Sequence, residues 1–295
     1  MSAVRGPLPA AVRAEAPRTT EGRRRRRRPS AWHLLLAPVA LLFALPLVQM
    51  VLTSFMPSAD INRLPPRFLP SALTLDGYRA LFTRSEILLW LTNTVVVSSV
   101  AVASNVVLCS LAGYGFARLR FPGRAPTFLA VLGTVMIPIQ LLMIPTYVLF
   151  ARIGLLNSLG ALLVPWLATA FGVFLMRQFF LSIPRELEEA ALLDGASRLQ
   201  VLLRVVMPLA VPALVTLAVF TLVGSWNDLI WPVIAISDSG TFTLQIGLAS
   251  FQGARRTEWS LLMAGNVVAI APLLLGFLLA QKHFVATMSG SGLKG

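Results

Sequence analysis

Apolar residues fall in six long blocks along the chain, roughly 32–55, 88–116, 126–151, 158–180, 209–234 and 260–281. Each is long enough to supply the ~20 apolar residues with which an α-helix crosses a hydrocarbon core. The pattern predicts an all-α integral membrane protein with six transmembrane helices. The second block exceeds a perpendicular crossing, so its helix is expected to tilt or to extend beyond the bilayer. Pro138, Pro145 and Pro165 lie inside blocks. Membrane helices tolerate proline where neighbouring helices or polar side chains re-satisfy the freed backbone groups. These helices are therefore expected to be kinked and packed together. Asp228 alone among the acidic residues falls inside a block, near its end.

Composition agrees with the pattern. The chain is 56% hydrophobic with a mean hydropathy of +0.77. Only 13% of its residues are charged, against about 25% for a soluble domain. The single cysteine, Cys109, rules out an intrachain disulfide and a cysteine-based metal cluster. His33 and His283 sit at the edges of apolar blocks with no partner that suggests catalysis, and read as interfacial residues. No metal site is expected.

The net charge of +13 is uneven, because nine arginines fall in the first 28 residues and Arg23 to Arg28 form an unbroken run. Such a run cannot pack, which predicts a disordered cytoplasmic tail over 1–30 and a transmembrane domain over 31–295. Beside a membrane span, the run suits an anchor on anionic lipid better than a nucleic-acid contact. It also resembles the start of a signal peptide. The apolar stretch Trp32 to Phe55 exceeds 20 residues, however, and shows no small-residue cleavage site, so it is read as a retained helix.

Orientation follows from the distribution of Lys and Arg. With the N-terminus inside, 18 of the 25 basic residues fall in inside segments, and the tail and the loop holding Arg118, Arg120 and Arg124 decide the bias. The expected product is a multi-pass protein of a prokaryotic inner or plasma membrane with both termini cytoplasmic. The two long outside segments, 56–87 and 235–259, serve either as a docking surface for a soluble partner or as passive connectors.

The most informative segment is the cytoplasmic stretch Ser182 to Ser197, SIPRELEEAALLDGAS. Proline near its start and glycine past its end are helix boundary signals. Ile183, Leu187, Ala190 and Ala191 are expected to share one face, with Arg185, Glu186, Glu188 and Glu189 over the rest. Ser197 can cap a second helix, Arg198 to Met207, which Pro208 is expected to stop. The result is a helix–turn–helix elbow between the fourth and fifth spans. On physics alone it is either a rigid lever presenting a small knob to a cytoplasmic partner or a hairpin lying on the membrane surface.

This segment resembles the EAA signature of ABC importer permeases. Glu189-Ala190-Ala191 is followed by Gly195 and then by Val205-x-Met207-Pro208, where the family pattern has Ile-x-Leu-Pro. The resemblance extends over roughly 32–295 and is closest to the carbohydrate-uptake branch, in the shorter, maltose-type permease subunit. Supporting stretches are Asn93-Thr94, Leu111 to Arg124, Ile137 to Gln140 with Ile144-Pro145, Trp226 to Asp228, and Gln281 to Gly295. Thr287-Met288 departs from the family's usual Gly-Leu pair.

The resemblance implies that 31–295 is a transmembrane permease domain and that the elbow is a coupling helix seated in an ATPase cleft, with Glu189, Ala190, Ala191, Asp194 and Gly195 as the coupling residues. It also implies a homologous second permease subunit, two ATPase subunits or a homodimer, and an extracytoplasmic solute-binding protein. The implied function is ATP-driven import of a carbohydrate or related polyol by alternating access, with no catalysis in this chain. The sequence has no Gly-x-x-x-x-Gly-Lys-Ser/Thr loop. ATP and Mg are therefore expected on partner subunits, with no cofactor in this chain.

Polar residues inside spans are candidates for the solute pathway. They are Asn93, Gln140, Asn227, Asp228 and Asn266, with Trp226 and Trp231 as flat aromatics suited to a sugar. The competing role for such residues is to hold helices together. A secondary transporter driven by an ion gradient is the alternative function. It is expected to need carboxylates near the membrane midplane, and none of the blocks supplies one.

Overall fold

The computed structural model describes residues 31–63, 65, 67–253 and 257–291, with the backbone path alone for 31–34 and 279–291. The expectations for the tail 1–30, Arg255, Arg256 and Lys294, and for the side chains of His33, Lys282 and His283, lie outside the described residues. The chain divides into two units, Met1–Leu45 and Pro46–Gly295. In the first, the described residues form the start of helix α1 (Ala31–Ser54). Leu35, Leu36, Leu41, Leu42 and Phe43 are all exposed there, as in a helix made for an apolar surround.

The second unit is helical throughout its described length, apart from loops and one isolated bridge between Gln252 and Thr257. After α1 come α2 (Ser58–Ile61), α3 (Asp76–Arg84), α4 (Ile87–Arg118), α5 (Arg124–Val135), α6 (Ile139–Arg152), α7 (Leu159–Leu163), α8 (Ala170–Ser182) and α9 (Arg185–Leu193). Arg198–Leu209, Val211–Trp226, Ile230–Ala235, Leu244–Ser250 and Trp259–Ser291 complete the path. Four helical stretches are long and apolar enough to cross a membrane, and six are when each of two bent pairs counts as one span.

The bends have visible causes. α5 and α6 meet at 100°, where Pro138 supplies no N–H to continue the ladder and biases Ile137 away from helical backbone. Arg198–Leu209 and Val211–Trp226 meet at 81°, with Ala210 out of helical geometry and Pro212 in the first turn that follows. The structure corrects the expectation that Pro208 stops the second elbow helix. A π-turn, Leu202–Val206, precedes that proline and the helix continues to Leu209. The first turn after a register shift tolerates a missing N–H. The block 209–234 is likewise not one helix, since it breaks between Trp226 and Ile230 and leaves Asp228 in the break.

α4 is the mast of the second unit. Its 32 residues make it about 48 Å long, well beyond the ~30 Å hydrocarbon thickness. α8 and Val211–Trp226 pack along it. Cys109, Tyr114, Val173, Met176, Phe180 and Leu217 form one apolar core, which continues into the elbow through Ile183, Val201, Leu202 and Val206. A second core gathers Leu81, Ile87, Trp90, Trp226, Leu244 and Leu262. A third joins Val97, Phe150, Leu162 and Trp231.

Gly113 is what lets α4 and α8 touch. A Cβ there would stand 2.8 Å from the Met176 Cβ and 2.9 Å from the Arg177 backbone nitrogen. Gly113→Val is therefore expected to lower the midpoint of thermal unfolding, at a cost of about 1–3 kcal/mol from overpacking. Thermal unfolding in detergent checks this, and an unchanged midpoint would contradict the packing.

Among the described residues of 56–87, Asp60 ties distant parts of the segment together. Asp60 accepts hydrogen bonds from the Ser71 backbone N–H (2.8 Å) and hydroxyl (2.5 Å), and pairs with Arg67 at 3.7 Å. The Ser71 bonds first, then Arg67 and Arg63, hold the Asp60 carboxyl below its ordinary range against the opposing effect of burial.

Candidate coupling elbow and solute pathway

Helix α9 starts after Pro184, whose ring presets the entry, and is closed past its C-cap Asp194 by Gly195 with φ +86°. The Ala196 amide reaches the Ala191 carbonyl (3.0 Å) and the Gly195 amide reaches that of Leu192 (3.1 Å), the paired closure of a Schellman motif. Ser197 then caps the next helix in a reciprocal box with Gln200. These boundaries are where the sequence places them.

The face of α9 that turns toward α4 carries Glu188, with Leu187 and Ala190 left in solvent. Glu188 is buried, with 6% of its surface exposed. Its carboxylate accepts from the Arg118 Nε at 2.5 Å and from the Tyr114 hydroxyl at 3.0 Å. Arg118 also donates to the Ile183 carbonyl at 2.6 Å. The last turn of α4 thus grips both the entry and the middle of α9. Ile183 is buried, and Ala191 and Leu192 are half-buried. Leu187 (47%) and Leu193 (89%) stand out in solvent, as do Glu186, Glu189, Ala190 and Asp194. The apolar count of α9 alone favours Leu187 inward. A charge-assisted pair buried against the mast outweighs that preference, because one unpaired buried charge costs more than exposing one leucine.

The pathway candidates separate into two groups. Asn93 is buried and donates to the Gly240 (3.1 Å) and Phe242 (2.9 Å) carbonyls. Beside it, the Thr94 hydroxyl accepts from the Leu244 amide. Trp226 is buried and donates to the Ala269 carbonyl, and Trp231 to that of Ala161. These polar groups fasten loops and helices to one another. Gln140 is exposed in the first turn of α6, and Asn266 is half-buried. Asn227 is exposed, donates to the Val223 carbonyl and accepts from Gln245.

Asp228 faces a cleft of ≈ 270 Å³ lined by Ile139, Met143, Trp166, Thr169 and Trp231 among others. It accepts from the Trp166 indole N–H at 3.2 Å. Sequence reasoning missed Trp166, Thr169 and the residue that places them, Asn105. Fully buried on α4, Asn105 donates to the Trp166 carbonyl, and its Oδ1 accepts from the Thr169 amide (3.2 Å) and hydroxyl (2.9 Å). It thereby satisfies the open backbone between the 3₁₀ turn Val164–Trp166 and α8. Helix breaks at membrane depth are tolerated only with such partners. The available signal was an asparagine in the middle of an apolar run, facing a block that contains Pro165.

The family model of the binding-protein-dependent transport system inner membrane component matches residues 105–290. The arabinooligosaccharides transport system permease protein AraQ of Halalkalibacterium halodurans is 34% identical over 260 residues, covering 87% of this chain and 93% of that protein. The lactose transport system permease protein LacG of Rhizobium radiobacter is 31% identical, over 90% of this chain and 97% of the other. The fold matches a chain of a bacterial ABC transporter involved in the import of the acidic polysaccharide alginate. That match has a TM-score of 0.76 at 24% identity over 86% of this chain and 95% of that one.

The chain belongs to the family of binding-protein-dependent transport-system inner-membrane components. It is a multi-pass membrane permease of an ABC importer and not an enzyme, with ATP hydrolysis left to separate subunits.

Proposed function

We propose that this chain is the transmembrane subunit of an ATP-driven importer for a carbohydrate or related polyol. Its assembly contains a homologous second permease, two ATPase subunits or a homodimer holding ATP and Mg, and an outside solute-binding protein. Domain 31–295 forms the permease, and the arginine-rich tail 1–30 rests on lipid at the cytoplasmic face, where both termini lie. The observation that carries the reading is the elbow. It is clamped to the mast on one side and, on the other, presents Leu187, Glu189, Ala190, Leu193 and Asp194 to solvent, with Gly195 ending the helix at positive φ.

Closure of the ATPase pair around ATP pulls α9, and the Arg118–Glu188 clamp passes that displacement to α4. α4 packs directly on α8 and Val211–Trp226, so the bundle moves as a rigid body between inward and outward states. The relatives named for arabinooligosaccharide and lactose transport support a carbohydrate substrate. In this reading Asp228, Trp166, Thr169 and Trp231 line the solute route, with Gln140 and Asn227 at its margins and Asn93 and Trp226 supporting it.

Two measurements test this. Single cysteines at Ser58 and Ser239 are expected to react with an impermeant thiol reagent from outside and Leu193→Cys from inside, over a silent background because native Cys109 is buried. Outside labelling of Leu193→Cys would reverse the topology. Asp228→Ala is expected to raise the half-saturating solute concentration for uptake by roughly tenfold or more, the loss of a charged hydrogen bond, with assembly intact. Loss of assembly with unchanged solute affinity would make Asp228 a helix fastener instead.

A further inference from the structure

The structure holds a second cavity, which shares Arg118, Glu188 and Glu189 with the elbow but is also lined by arginines to which the transport cycle assigns no part. It lies where the last turn of α4, the loop after it and the elbow meet, and has a volume of ≈ 550 Å³. Arg118, Arg120, Arg185 and Arg198 line it with Glu188 and Glu189, and an adjoining cavity adds Arg124. The charges do not balance within the chain. Both oxygens of Glu188 are taken by Arg118 and Tyr114. Arg124 donates to the Leu119 carbonyl. The guanidinium groups of Arg120, Arg185 and Arg198 have no hydrogen-bond or ion-pair partner among the described residues.

The lining is also two-sided. Leu119, Leu192 and Phe121, the last 41% exposed, supply its apolar lining. The cavity sits at the end of α4, whose 32 residues carry it past the length that a ~30 Å hydrocarbon core requires.

We propose that this cavity binds a phosphate-bearing anion, through Arg120, Arg185 and Arg198. Guanidinium groups match phosphate oxygens in pairs, and basic pockets between spans at a membrane face take anionic headgroups. Two sources carry this chemistry, an anionic lipid headgroup and free phosphate. Leu119, Phe121 and Leu192 in the same lining, suited to acyl chains, make the lipid the first to test. The proposal does not depend on which solute the permease carries, since its readout is anion binding.

The test uses the full chain in nanodiscs of equal phosphatidylglycerol and phosphatidylcholine, with retained lipid counted by native mass spectrometry and inorganic phosphate as competitor. Wild type is compared with Arg120→Gln/Arg185→Gln/Arg198→Gln and with Arg79→Gln/Arg84→Gln/Arg152→Gln, which removes as much charge away from the cavity. All three proteins keep the N-terminal arginines, so differences among them read the cavity. Wild type and the distant variant are expected to retain phosphatidylglycerol roughly tenfold over phosphatidylcholine, and the cavity variant to lose that preference. Binding of inorganic phosphate by wild type but not by the cavity variant, without lipid preference, would support the site with free phosphate as its occupant. Equal retention by wild type and cavity variant, with phosphate bound alike or by neither, would overturn it. Thermal unfolding of each variant, and Arg185→Gln alone, guard against a misfolded triple substitution.

Discussion

Gly195→Val is expected to abolish solute uptake by the assembled transporter while leaving the membrane bundle folded. Gly195 has φ +86°, and a Cβ placed there meets nothing within 4 Å. The obstacle is therefore the backbone alone. A β-branched residue in left-handed geometry is strained by on the order of 1–3 kcal/mol. The elbow relieves that strain by unwinding the closure at Ala191 and Leu192, which re-aims Leu193 and Asp194. ATP hydrolysis is expected to persist but no longer to respond to the loaded binding protein. Gly195→Asn is expected to keep much of the uptake, because asparagine tolerates left-handed backbone. Uptake and ATP hydrolysis measured side by side decide the matter, and stimulated uptake at the wild-type level in the valine variant would remove the coupling role.

Glu188→Ala is expected to have the largest effect on stability. It leaves the Arg118 guanidinium, whose side chain is 5% exposed, without its counter-charge, and breaking such a buried pair costs about 3–5 kcal/mol. It also frees α9 from the mast. Thermal unfolding is expected to shift strongly downward, and uptake to fall with it. The double variant Arg118→Met/Glu188→Met separates the two effects. Removing both charges is expected to restore much of the unfolding midpoint, as an apolar replacement of a buried pair often does. Uptake is expected to stay low, because nothing then ties α9 to α4 at Glu188 or at the Ile183 carbonyl. Full recovery of uptake in the double variant would show that the clamp only holds the fold together. A wild-type midpoint in Glu188→Ala would show that the pair is not buried as described.

Most of the scaffold was legible in the sequence because it rests on local signals. Apolar block length marks the spans, proline and glycine mark the ends of α9, and Ser197 announces its cap. What was hidden depends on residues far apart in the chain. The inward face of α9 is set by Tyr114 and Arg118, 74 and 70 positions away from Glu188, so the apolar periodicity of α9 alone does not say which face turns inward. Asn105 escaped notice because its role is to serve the backbone of a helix break 61 residues later. Pro138 foretold a kink but not its size of 100°, since the angle is fixed by what α5 and α6 pack against. Asp228 was picked as an acid in an apolar block. Its setting depends on a break in the helix and on Trp166 from another span.

In the proposed cycle this chain moves solute when, and only when, separate ATPase subunits act on its elbow. The most direct test reconstitutes it with its partner subunits in proteoliposomes and follows entry of a radiolabelled oligosaccharide. Uptake is predicted to require ATP on the side of the elbow and the loaded binding protein on the other, and to be indifferent to proton or sodium gradients. Uptake that proceeds without ATP and follows an imposed ion gradient would contradict the account.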